Sequence, residues 1–308
     1  MRLHFWPVNK RINIPPAYYP LWLLLKGLAA LPLPVLYLFA DFLYFLMYYV
    51  IGYRKKVVEQ NLRMAFPENG EQERQRIAKA FYRQFADVMV EILHLASMSR
   101  EEMLRRTTFT NPEVLSRYVE GGTPVLILGT HVANWEWSLS AAAVTFNFPA
   151  EGVYKPLNNP FFESYMLHTR SRLGAHLIKM KDTLREFVAK RKVPRVVALL
   201  SDQTPLRSEI NFWTEFLHQD TPFYTGAEKL SQRFGYPVLF LDVKRTSRGH
   251  YALTFEEITD GKTVHGLSTE AEFPVTVAFA RKLEAALRRA PADYLWTHKR
   301  WKHKRPKS

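Results

Sequence analysis

The sequence predicts an α/β fold, a mostly parallel or mixed central sheet flanked by helices, with further helices at its N-terminal side. Three observations carry that expectation. Short apolar runs of strand character, PVLILGT (124–130) and RVVALLS (195–201), are each followed or preceded by helical stretches. PVLFLDVKRT (237–246) and HYALTFEEI (250–258) flank Ser247-Arg248-Gly249 and predict a hairpin, hence an antiparallel edge. Residues 18–51 are almost wholly apolar, with charge only at Lys26 and Asp41.

Taken in order, residues 18–51 form too long a stretch for one helix. At 1.5 Å per residue they would run to about 50 Å, against a hydrocarbon core of about 30 Å. Pro32 and Pro34 divide them into pieces at roughly 20–31 and 35–51, because proline removes a helical hydrogen bond and clashes with the preceding turn. Trp22, Tyr37, Tyr44, Tyr48 and Tyr49 suit a membrane–water interface, and Lys10, Arg11, Arg54, Lys55 and Lys56 flank both ends. Residues 1–53 are therefore read as a membrane anchor, spanning or lying in one leaflet, and 54–308 as a separate catalytic unit. Glu71 to Ala96 predicts an amphipathic helix: Ile77, Phe81, Phe85, Val88, Ile92 and Leu95 recur at three and four, with Arg76, Lys79, Arg83 and Asp87 between them. A short helix at 111–120 is broken by Gly121-Gly122. The strand at 124–130 leads to a helix from Asn134 to about Phe146. A strand at 151–154, helices at 160–173 and 181–191, and the strand at 195–201 follow. The last helix runs through Val275, Phe279, Leu283 and Leu287.

Composition narrows the function. With 308 residues and 47% apolar content the chain can bury a sizeable core. Zero cysteines exclude disulfides, thiol nucleophiles and Cys-ligated metals. A formal charge of +14 predicts an anionic partner: lipid, acidic protein or nucleic acid. Dinucleotide, P-loop, GxSxG and HExxH motifs are absent, and ten scattered histidines lack metal spacing. The pair Glu256-Glu257 points to opposite faces of a strand and forms no metal cluster.

One segment concentrates chemistry, LILGTHVANWEWS (126–138). His131 follows a strand at its carboxyl end, where open α/β sheets bind ligands. Asn134 suits an N-cap, which places Glu136 in the first helical turn. Five positions on a continuous helix leave two side chains about 140° apart, so the pair converges only if the turn folds His131 back. Glu136 would then hold one ring nitrogen while the other takes a proton from a hydroxyl. A helix-capping turn with a structural histidine fits the same spacing.

The His-x4-Glu form and its surroundings resemble the late lipid A acyltransferases, the lauroyl and myristoyl transferase family. The likeness covers most of the chain: RKKVVEQNLRMAFPENGEQERQRIAKAFYRQF (54–85), VYKPLNNPFFESYMLHTRSRLG (153–174), LLSDQTP (199–205), TPFYTG (221–226) and APADYLWTHKRWKHKRP (290–306), in family order. Lys155 stands where arginine is common, and Phe212-Trp213 replaces the more usual Phe-Phe-Gly. The resemblance implies a glycerol-phosphate-acyltransferase-like sheet. It also implies transfer of a fatty acyl chain from an acyl-carrier-protein thioester to a hydroxyl of a lipid A precursor. It assigns His131 as general base, Glu136 as its orienting partner, and Asn134, Lys155, Arg170, Arg172, Asp202 and Gln203 to substrate binding, with no cofactor or metal. A thioester is already activated, and the missing cysteine and serine elbow favour direct attack by the acceptor. The implied partners are acyl carrier protein, the lipid A precursor and an anionic membrane surface. The implied place is the cytoplasmic face of a bacterial inner membrane. Other membrane acceptors (a lysophospholipid, amino-lipid or glycolipid) use the same motif. A non-catalytic binder of anionic lipid or nucleic acid accounts for the charge but leaves His131 and Glu136 unexplained. The basic ending, Lys299, Arg300, Lys302, Lys304, Arg305 and Lys307, fits a membrane surface. Nucleic acid is not expected as a partner.

Overall fold

A computed structural model describes residues 14–262 and 273–306. Lys10 and Arg11, invoked above as flanking charge, and Lys307 of the basic ending lie outside the described residues.

The N-terminal stretch divides where the prolines require. Helix α1 (Tyr19–Ala29) stops before Pro32, and α2 (Leu33–Phe45) starts after it with Pro34 in its first turn, where a missing N–H costs nothing. A π-helical turn, Leu46–Val50, extends α2, and together they make the one described helix long and apolar enough to cross a membrane. Leu33, Leu36 and Ala40 face inward against α4 (Glu71–Leu95), which follows α3 (Lys55–Ala65). Leu38, Phe39, Phe42, Phe45, Tyr49 and Val50 face outward and stay exposed. The inner face of 18–51 thus belongs to the same core as the rest of the chain.

Helix α4 carries its predicted apolar stripe, with one difference: Asp87 is buried, not on a solvated face. Arg245 and Arg248 from the hairpin below pair with its two carboxylate oxygens, which is what makes that burial tolerable. Next come α5 (Arg100–Arg106), β1 (Thr107–Phe109), α6 (Glu113–Glu120), β2 (Val125–Gly129), α7 (Trp135–Thr145) and β3 (Ala150–Tyr154). They are followed by α8 (Pro160–Ser171), β4 (His176–Lys179), α9 (Thr183–Ala189) and β5 (Val196–Leu200). A two-stranded hairpin, β6 (Trp213–Phe216) and β7 (Gln219–Pro222), precedes α10 (Gly226–Phe234), β8 (Val238–Ser247), β9 (His250–Thr259) and α11 (Pro274–Arg289).

Seven strands form one sheet in the order β1-β9-β8-β2-β5-β3-β4. All pairings are parallel except β8 with β9. The expected antiparallel hairpin is present but is not the edge, because β1 adds to β9 in parallel beyond it. Side chains alternate between the two faces of β8: Phe240 meets Phe279 of α11, while Leu241 and Val243 face the opposite side, toward a cavity. The register matters most at the centre, where Gly129 of β2 pairs with Leu200 of β5. The two strands therefore end level, and the residues that follow each of them meet.

Candidate active site

The β2–α7 turn leaves the sheet at Gly129. A Cβ there would lie 2.9 Å from Leu200 Cδ2, so glycine leaves room for the Leu200 side chain beside the turn. Ala133 adopts a left-handed conformation (φ 51°), which breaks the path of the chain between His131 and the start of α7. The turn is braced from a distant part of the chain. Ala133 N–H donates to Asp293 O (2.8 Å), Leu295 N–H donates to His131 O (3.1 Å), and Val132 bridges Tyr294. Residues 290–300 thus act as a clamp on the turn.

Asp202, just past β5, is fully buried and meets His131 twice. It accepts from the His131 backbone N–H at 3.1 Å and from Nδ1 at 2.8 Å. An ionised carboxylate only accepts, so Nδ1 carries the proton and Nε2 presents its lone pair. Gln203 Nε2 donates to that lone pair at 3.2 Å. Burial pushes the His131 imidazole down, but the Asp202 charge and hydrogen bond, with a further push from Glu136, outweigh it and leave the ring above its ordinary value. Burial raises Asp202, and the facing imidazole and the two hydrogen bonds more than reverse that, holding it below the usual carboxylate range.

Glu136 does not hold a ring nitrogen of His131. The two nitrogens are engaged by Asp202 and Gln203, and Glu136 is captured by Arg170 of α8 through two bonds, Nε–H to Oε2 at 2.7 Å and Nη2–H to Oε1 at 2.6 Å. The reason is geometric. As the second residue of α7, past the left-handed Ala133, Glu136 points across to α8 rather than back to the strand end. Asn134 is an N-cap as expected, its Oδ1 accepting from Trp137 N–H at 3.1 Å. Its amide nitrogen donates to buried Glu91 at 2.7 Å, and Asn134 is itself buried and does not line the cavity around His131.

The other sequence-derived residues separate. Lys155, Arg170 and Gln203 line a cavity of about 490 Å³ together with His131 and Glu136. Arg172 does not: its Nε–H reaches back to Leu95 O at 3.4 Å, at the end of α4. Phe212 and Trp213 also stand away from the cavity, at the β6 hairpin, with Phe212 against Phe273. The cavity is polar at the His131 end and apolar beyond it. Ile127, Val196 and Ala198 on the sheet face Leu139 and Ala142 of α7, and Phe109, Leu241 and Phe255 lie among its apolar walls. Small residues at Ala142, Ala150, Gly152 and Ala198 leave the space that larger side chains would fill.

His298 is a further cavity residue that the spacing argument did not single out. Its Nε2 accepts from Thr204 N–H at 3.2 Å, and burial, then neighbouring Arg300, pushes it down to about 4, so it stays neutral. The signal for it lay in the Trp-x-His ending, a match used only for resemblance. Exposed large apolar side chains at Leu157, Met180, Leu200 and Leu206 also belong to the cavity lining.

The arrangement is a basic imidazole nitrogen, aimed by a buried carboxylate, at the head of an apolar channel. Comparison with known proteins gives the same direction. The family profile described as bacterial lipid A biosynthesis acyltransferase matches residues 9–303. The chain is 25% identical over 296 residues to the lipid A biosynthesis lauroyltransferase of Escherichia coli K12, covering 93% of this chain and 92% of that one. It is 23% identical over 250 residues to the E. coli lipid A biosynthesis palmitoleoyltransferase, covering 81% and 79%. A lipid A biosynthesis acyltransferase of Haemophilus influenzae is 21% identical over 294 residues, covering 93% and 91%. With the profile spanning nearly its whole length, the chain belongs to the bacterial lipid A biosynthesis acyltransferase family.

Proposed function

We propose that this protein transfers a fatty acyl chain from an acyl-carrier-protein thioester to a hydroxyl of a lipid A precursor, at the cytoplasmic face of a bacterial inner membrane. The observation that carries the mechanism is the His131–Asp202 pair at the mouth of an apolar channel. The thioester's chain lies in the channel, with its carbonyl carbon beside His131. The acceptor hydroxyl replaces the Gln203 amide at Nε2, gives up its proton there and attacks the carbonyl carbon. The tetrahedral intermediate collapses with cleavage of the C–S bond, and the imidazolium returns the proton to the departing thiolate. Asp202 holds the ring in the required tautomer and stabilises its charged form. The Glu136–Arg170 pair keeps a guanidinium and a carboxylate fixed at the polar end of the channel, and the cationic Lys155 and Lys302 suit a phosphate on acceptor or donor. The position of the site at the carboxyl ends of β2 and β5 supports a glycerol-phosphate-acyltransferase-like arrangement.

Membrane association follows from α1 and α2. One side of α2 lies along α4, where Tyr37 bonds Glu91 and Asp41 pairs with Arg248. Over a crossing of hydrocarbon, these polar ties along one side favour a helix lying against the protein. Its outward apolar arc fits an element lying in one leaflet.

The test is acyl transfer by the purified protein from acyl carrier protein to a lipid A precursor, read by mass spectrometry of the product. Turnover by the wild type with none by His131→Ala supports the reading. No acylated lipid A precursor from the wild type, or equal turnover by both, removes it.

A further inference from the structure

Glu91, near the C-terminal end of α4, is the most enclosed carboxylate of the described residues alongside Asp202, with 0% of its surface exposed. Three side-chain donors from three elements converge on it. Asn134 Nδ2 of the catalytic turn (2.7 Å) and the Tyr251 hydroxyl of β9 (2.6 Å) donate to Oε2, and the Tyr37 hydroxyl of α2 (2.8 Å) donates to Oε1. Its backbone carbonyl accepts from Trp137 Nε1 at 3.0 Å. Burial pushes the Glu91 carboxyl above the usual carboxylate range, against the pull of the Tyr251, Tyr37 and Asn134 donors. A buried carboxyl of this kind adds little net stability over a packed apolar side chain, so its value lies in what it orients.

What it orients can be derived from the donor and acceptor inventory. The Asn134 amide has two unlike ends, and one must face Glu91 while the other faces the N–H of Trp137. The Trp137 N–H can only donate, so the amide oxygen turns to it and caps α7, and the NH₂ end is left to donate to Glu91. Were the amide flipped, oxygen would face oxygen and the helix start would lose its cap. Glu136 stands between Asn134 and Trp137, both of which are tied to Glu91. The direction in which Glu136 leaves the helix, toward Arg170, is therefore fixed from α4. We propose that Glu91 is a positioning residue for acyl transfer: through the Asn134 amide it sets the first turn of α7, and with it the place of Glu136 beside His131. This inference rests on the acyl-transfer reading above.

A carboxylate–amide pair can be exchanged. Asn134→Asp keeps a good N-cap but sets two carboxylates face to face. Glu91→Gln combined with Asn134→Asp restores one donor and one acceptor across the same contact, with the Tyr251 hydroxyl, which can also accept, turning toward the new amide nitrogen. The charged groups that set the titration of the His131 ring are Asp202 past β5, Glu136 of α7 and Arg170 of α8, while His298 on the same cavity stays neutral. Displacing Glu136 removes a carboxylate that raises the ring, so the acid limb of the rate profile moves to lower pH. A loss of folded protein alone would reduce the amplitude of that profile without moving it.

The experiment compares wild type, Asn134→Asp, Glu91→Gln/Asn134→Asp and His131→Ala as purified full-length proteins, assayed for acyl transfer from acyl carrier protein across pH, with melting curves alongside. Wild-type turnover and its absence in His131→Ala establish the chemistry first, so a failure there is not charged to Glu91. The expected result is a fall in kcat of up to roughly 100-fold for Asn134→Asp at near-constant KM, with the acid limb shifted down. The double variant should regain most of the kcat and the wild-type limb. An Asn134→Asp enzyme with wild-type kcat and pH profile overturns the proposal. So does a folded double variant no better than the single one.

Discussion

At the β2–α7 turn the side chains of His131, Asn134 and Glu136 each make two hydrogen bonds within the protein. On the outward faces of α1 and α2, by contrast, Leu23, Leu24, Leu38, Phe39, Phe42 and Phe45 are about half exposed or more. The first region is closed on itself. The second is complete only against something else, and an apolar area of that extent on a surface marks a contact site. The difference separates two kinds of failure, one in chemistry and one in placement.

Four measurements sharpen or break that separation. The largest effect belongs to His131→Ala, which removes the proposed base and should lower kcat by about 10²–10⁴-fold while leaving vesicle binding unchanged. Arg170→Ala leaves Glu136 without its bidentate partner in a largely buried site; a loss of about 3 kcal/mol is expected, read as a lower melting temperature together with impaired turnover. On the open face, Phe42→Ser should weaken partition to lipid vesicles by about 1.5–3 kcal/mol per apolar side chain withdrawn from lipid. Turnover of that variant on detergent-dispersed substrate should stay at the wild-type level, and a matching loss of turnover there would join the two regions that the structure keeps apart. The smallest effect is in the pH profile. His131 must be neutral to act, and its pKa is raised, so activity climbs with pH through a midpoint above the ordinary imidazole value of about 6.5. In Asp202→Asn the group that raises it is gone, and whatever activity remains should show the limb at lower pH.

The inner strands were legible because they are short apolar runs with helices between them, and 124–130, 151–154, 195–201 and the long hairpin all fall where expected. The edge strands β1 and β4, three and four residues long, carry no such run and were not expected. The short hairpin β6–β7 was not. Its two turn residues, Leu217 and His218, have φ of 49° and 62°, a conformation for which a sequence normally supplies Asn or Gly. Here tertiary contacts impose it: Leu217 is buried and its N–H donates to Glu284 of α11 at 3.1 Å. At the site, His131 was identifiable from its place after a strand. Its partner was not, since sequence proximity favoured Glu136 over Asp202, 71 positions away. The level ending of β2 and β5 decides the matter, and register between parallel strands leaves no mark in either strand alone. Glu91 was hidden for another reason. In a helix written as apolar stripe and charged remainder, a buried carboxylate falls on the charged side of the count.

The clamp formed by residues 290–300 sets an order of events during synthesis. α1 and α2 emerge early, with their outward apolar faces already specified, whereas His131 waits for Asp293, Tyr294 and Leu295, about 165 residues further on. At usual translation speeds that interval is roughly 8–30 s. A nascent chain that associates with lipid as proposed thus has time to do so before the turn that carries His131 is braced.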